Sequence, residues 1–163
     1  MSIQVQQPQP YDLVGSSVQI AGTAGGAFEA SYSVRVTEGH DEVLGHFMAG
    51  DGIGGHGQFQ VAVDISGAAF THTVAFVEVF HTSARDGSEL DRQVVPVIVA
   101  PLIVPGYTTY LEHVVAPGES LWAIAQRHYG NGNLYHRLVA ANPIITNPNL
   151  IHPGDVVRVP RAG

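Results

Sequence analysis

Two groups of residues in this chain have types and spacing that could do chemistry on their own. Gly52, Gly54 and Gly57 satisfy the G-x-G-x-x-G spacing that cradles a dinucleotide's pyrophosphate. That use needs a strand before the glycines and a helix N-terminus after them. Here Gln58 to Val63 alternates as a strand, so the segment is expected to be a flexible hairpin loop with no nucleotide. His40, Asp41, His46, Asp51 and His56 lie within 17 residues and offer imidazole and carboxylate ligands. They contain no His pair at i, i+4 with an intervening Glu, so a polar loop rich in Gly and His is expected, with no metal or other cofactor. There is no Cys, the nine His are scattered, and no G-x-S-x-G occurs. No nucleophile–base constellation stands out, and the chain is expected not to be an enzyme.

Composition narrows the partners. The 163 residues carry 7 basic against 14 acidic side chains, a formal net charge of -7, and every basic residue is Arg. An acidic chain without Lys lacks the electrostatic footprint for nucleic acid or an anionic membrane surface. Hydrophobic residues are 45% and charged residues 13%. That is too apolar for disorder, and with 19 Gly and 10 Pro it indicates a turn-rich, mostly β protein. The longest apolar run, Val94 to Val104, is broken by Pro96 and Pro101 and falls short of the roughly 18 residues of a membrane span, so no membrane insertion is expected. The first residues have neither a basic nor an apolar leader region, so no signal peptide is read in this chain.

Charge and period both change near residue 107, which argues for two domains. Up to that point three Arg face eleven acids; beyond it four Arg face three. In the first part Ala30, Tyr32, Val34 and Val36 alternate with Ser31, Ser33 and Arg35, the signature of a half-buried strand. Ile3 to Val5, Val18 to Ile20, Val43 to Met48, Phe59 to Val63, Thr73 to Phe80 and Val94 to Val99 complete about seven strands. An immunoglobulin-like sandwich suits that count and spacing, without the disulfide and its packed Trp. Residues 1–99 are therefore read as an all-β sandwich and 100–107 as a short, Pro-bounded, apolar linker.

Residues 108–163 are read as an α+β module of order βααβ. A short strand at Glu112 to Val115 ends at Pro117-Gly118. Ser120 suits an N-cap, Leu121, Ile124, Ala125 and His128 follow helical spacing, and Gly130 suits the C-terminal cap. A second helix is expected over about Leu134 to Ala141, and a last strand over Val156 to Val159.

The run Val114-Val115-Ala116-Pro117-Gly118-Glu119-Ser120-Leu121-Trp122-Ala123-Ile124-Ala125, with Ala141-Asn142-Pro143, Asn147-Pro148-Asn149-Leu150-Ile151-His152-Pro153-Gly154-Asp155 and Val157-Arg158-Val159-Pro160, resembles the LysM carbohydrate-binding module over residues 110–160. The resemblance implies binding of N-acetylglucosamine-containing glycans, peptidoglycan or chitin, in a shallow groove between two loops. It assigns that groove to Gly118, Glu119, Ser120, Leu121 and Trp122 on one side and Pro143, Ile144, Ile145 and Asn147 on the other. An N-acetyl group offers one methyl, one donor and one acceptor, so apolar side chains beside free backbone groups suffice. Leu121, Trp122 and Ile145 are alternatively core of so small a domain, the reading favoured for Leu121, while Trp122 suits core and sugar contact alike. The family typically has Asp where Glu119 stands, and often a second Trp near Tyr135. The first part, from Ile3-Gln4-Val5 with Pro8 and Pro10 through Val18 to Ala24 and Ala27 to Ala30, resembles the Gmad2 family, an immunoglobulin-like domain of bacterial envelope and germination proteins. Together the resemblances imply a non-catalytic glycan-binding protein of the bacterial cell envelope if it is exported, with the sandwich contacting a protein partner or spacing the module. The alternative is a structural component, assembled in the cytoplasm, that uses the LysM fold for docking.

Overall fold

Period-two patterning does most of the work in the first part of the chain. The structure is a computed structural model describing residues 2–163, and the chain divides into two units between Val99 and Ala100. In the first unit the strands are β1 (Ile3–Gln7), β2 (Asp12–Val14), β3 (Ser17–Gly25), β4 (Ser31–Thr37), β5 (Glu42–Met48), β6 (His56–Asp64), β7 (Val74–Thr82) and β8 (Glu89–Val99). They form a three-stranded sheet, β1-β3-β6, and a five-stranded sheet, β2-β8-β7-β4-β5. Alternation places Val18 and Ile20 of β3, Tyr32, Val34 and Val36 of β4, and Val77 and Val79 of β7 in one buried core. Tyr32, Phe47 and Phe59 stack in series within it, with ring centroids 5.3 and 4.1 Å apart. The Tyr32 hydroxyl accepts a hydrogen bond from the Ala27 N–H, so the ring's polar end is satisfied. The sequence-based sandwich is therefore observed.

Two details differ from expectation. The eighth strand, β2, pairs in parallel with β8, Asp12 opposite Val97. The Gly-rich segment after Met48 is not a hairpin, because β5 and β6 belong to different sheets. It is an inter-sheet connection held by Asp51, whose Oδ1 accepts from the N–H groups of Ile53, Gly54 and Gly55. Close packing also explains Gly22: a Cβ there would lie 2.0 Å from the Gln4 carbonyl oxygen of the neighbouring strand β1.

In the second unit, Ala100–Leu102 forms a 3-10 turn, and Ile103 and Val104 are buried. Then follow β9 (Tyr107–Val114), α1 (Leu121–Tyr129), a 3-10 turn at Gly132–Leu134, α2 (Tyr135–Ala141) and β10 (Val156–Ala162). The βααβ order is as expected, with both strands several residues longer. β9 and β10 pair antiparallel, Val114 opposite Val156. Ser120 caps α1 by accepting from the Ala123 N–H, and Gly130 closes it at φ 72, as the sequence anticipates. Leu121, Ile124, Ala125, Leu138, Val157 and Val159 make the core. Buried Asn142 fastens α2 to β10: its amide donates to the carbonyls of Leu138 and Arg158, and its oxygen accepts the Arg158 N–H. Among the described residues no helix is long and apolar enough to cross a membrane.

Candidate functional site

The loop from β9 to α1 is fixed by a chain of three side chains. Glu119 reaches back to accept the Ala116 N–H at 2.7 Å, and His113 Nε2 lies 3.1 Å from its carboxylate. His113 Nδ1 lies 3.0 Å from Nε2 of His128 on α1. The Ala116 N–H, then His113, hold the Glu119 carboxyl below the usual range. Burial, and then the neighbouring His113, push the His128 imidazole below its ordinary value. A glutamate has the length to reach both Ala116 and His113 at once.

This loop presents Trp122 on the first turn of α1. Trp122 is 52% exposed, so it is not a core residue of the module. The ring packs against Gly132, where a Cβ would sit 2.1 Å from an indole carbon. Gly132 is held in turn by its N–H donating to Gln126 Oε1 at 3.0 Å. Trp122, Ser120, Leu121, Tyr135, Pro148 and Asn149 line a cavity of about 290 Å³. Two exposed aromatic rings and a polar rim give a groove suited to the apolar face and the hydroxyl or acetamido groups of a neutral sugar.

The structure divides the expected site. Ser120, Leu121 and Trp122 line this groove, although the Leu121 side chain is 2% exposed and belongs to the core. Gly118, at φ 83, makes the turn, and Glu119 anchors it. Asn147 shapes the opposite loop by accepting the Asn149 N–H, so it presents Pro148 and Asn149 without lining the groove itself. Ile144 and Ile145 instead line a separate cavity of about 310 Å³ with Leu150, His152, Asp155 and Val156, while Pro143 lies exposed in neither. The sequence reading missed Tyr135, Pro148 and Asn149. Their signals were the aromatic at the position where the family often has Trp, and the Asn147-Pro148-Asn149 run.

Of the five residues weighed as metal ligands, only His40 belongs to a cluster of potential ligands among the described residues, and its partners are Glu38 and His72. His46 faces Ser33, and Asp51 is committed to its own loop.

The chain is thus a two-sheet sandwich followed by a βααβ unit with a shallow aromatic groove. The model of the Gmad2 family, the immunoglobulin-like domain of bacterial spore germination, matches residues 2–88, more than half of the chain, and the chain belongs to that family. The LysM domain model matches residues 113–160. A curated relative, the potassium binding protein Kbp of Escherichia coli O6:H1, is 43% identical over 49 residues, which cover 29% of this chain and 33% of that protein. The chain thus spans about a third of that relative's length. No solved structure matches.

Proposed function

We propose that the second unit holds N-acetylglucosamine-containing glycans, with peptidoglycan as the natural polymer, in the groove between Trp122 and Tyr135. The observation that carries this reading is the half-exposed Trp122 indole, backed by Gly132 and facing Tyr135, Pro148 and Asn149 across a cavity of about 290 Å³. An aromatic ring already held in place loses little entropy on stacking against a sugar face. Neutral sugars need few charges, in keeping with a module that carries almost none in excess. LysM and immunoglobulin-like domains are typically non-catalytic, and the protein acts in this reading as a binding protein of the bacterial envelope.

The sandwich serves as the partner-binding or spacing domain. Cross-strand register puts Phe76, Glu78, Arg35 and Val94 on one face of the five-stranded sheet. There Arg35 pairs with Glu78 at 2.7 Å and with Glu89 at 2.9 Å, flanked by half-exposed Phe76 and Val94. One module presents a small interface, so affinity rises with repeated glycan units through avidity.

Co-sedimentation of the full chain with insoluble peptidoglycan tests the proposal. Retention of the native protein, competed by soluble N-acetylglucosamine oligomers, is expected. A folded protein that stays in the supernatant overturns it.

A further inference from the structure

The first unit carries a cluster of ligating side chains that the glycan reading does not use. Glu38 follows β4 and its side chain is fully buried; His40 lies two residues on; and His72 comes from the connection before β7. Their ligating atoms all lie within 4.8 Å of one another. His40 Nδ1 is 3.2 Å from both oxygens of the Glu38 carboxylate, and the His40 and His72 rings are 4.9 Å apart, centroid to centroid.

We propose that Glu38, His40 and His72 form a site for a divalent late first-row cation, with Zn2+ as the fitting ion. Two imidazoles and one carboxylate are the donor set of a three-ligand zinc centre that leaves a fourth position to water. The spacing agrees with that geometry. An ion about 2.1 Å from both His40 Nδ1 and a Glu38 oxygen, with the two 3.2 Å apart, subtends an angle of about 100°, near tetrahedral. His72 and His40 are both exposed, so His72 has room to turn inward and close the remaining distance.

The surroundings of Glu38 are those of a ligand fixed from behind. Its Oε1 accepts the His40 N–H, and its Oε2 accepts the N–H groups of Thr71 at 3.0 Å and His72 at 2.9 Å. These three N–H bonds orient the carboxylate before any ion arrives, as hydrogen bonds to ligating carboxylates do in metal sites. Because a carboxylate only accepts, the short His40 contact requires a proton on Nδ1. Zn2+ takes the place of that proton on Nδ1, and the neutral imidazole then carries its single proton on Nε2. The two loops carrying the ligands are already tied by the Glu38 bonds, so the ion adds a clamp across an existing junction.

Calorimetric titration of the full chain with ZnCl2, with MgCl2 as the hard-cation control, tests this. Saturable binding of one Zn2+ per chain, absent with Mg2+, is expected. His40→Ala and His72→Ala should each weaken it at least about tenfold, whereas His46→Ala should leave it unchanged. Both tested imidazoles are exposed, and melting curves without metal confirm that the variants remain folded. The absence of saturable Zn2+ binding, or binding that survives His72→Ala undiminished, overturns the proposal. Neither outcome bears on glycan retention, which resides in the other unit.

Discussion

His113 Nε2 lies 3.1 Å from each carboxylate oxygen of Glu119, and so couples the penultimate residue of β9 to the loop that carries Trp122. Its other nitrogen faces Nε2 of His128 at 3.0 Å. One arrangement satisfies every group: His128 donates to His113, and His113 donates to Glu119.

Acid is expected to destabilise the second unit. The folded His128 titrates below its ordinary value of 6.5, so the unfolded chain takes up its proton first. Stability from this group is complete above about pH 6.5 and declines as the pH falls toward the folded value. Glu119, held below 4.5, adds a second loss of the same sign as the pH falls further. The chain's single Trp lies in this unit, so Trp122 fluorescence during thermal melting reports it selectively. Melting temperatures that stay level from pH 7 to 4 would falsify the linkage.

Trp122→Ala and Leu121→Ala should separate binding from folding at adjacent positions. The exposed indole is expected to contribute about 1–2 kcal/mol to glycan affinity, roughly a tenfold loss on truncation, with the circular dichroism melt little changed. Leu121 is 2% exposed, and its truncation should cost about 2–4 kcal/mol of stability. Equal effects of the two substitutions on the melt would contradict the assignment.

Gly132→Ala tests the backing of the indole. A methyl group 2.1 Å from the ring must displace it, so altered Trp122 emission and weaker peptidoglycan retention are expected together. Native emission and native retention in this variant would show that the ring does not rest there.

Asn142→Ala should lower the stability of the second unit by about 2–4 kcal/mol, because it strands the Arg158 N–H and two carbonyls that the amide now satisfies. Denaturant titration followed by Trp122 fluorescence measures this. A loss below about 0.5 kcal/mol would mean that water replaces the side chain at no cost.

Much of this architecture was legible because local rules govern it. Ser120 and Gly130 bracket α1 through backbone groups that only certain residues satisfy, and alternation along β4 names the buried face. What escaped was non-local. β2 is three residues with one buried side chain, Val14, too short to show a period, and it forms only because β8 lies alongside. The groove was half legible: Trp122 and Ser120 stand in one continuous motif, whereas Tyr135, Pro148 and Asn149 reach it through the tertiary fold. Likewise Glu38 and His72 are 34 positions apart, and spacing arithmetic over the His40 to His56 stretch could not join them.

The parallel pair β2–β8 also sets an order of events during synthesis. Asp12 to Val14 must wait for Val97 to Val99 before the five-stranded sheet has its last member. The N-terminal segment therefore leaves the ribosome well before its partner exists, and the sandwich completes late, as expected for long-range pairing. The second unit follows a shorter schedule, since β9 and β10 enclose only two short helices and their loops. A nascent chain stalled before Val97 should thus expose an incomplete sheet edge, the form most open to capture by a chaperone or to mispairing with a neighbouring copy.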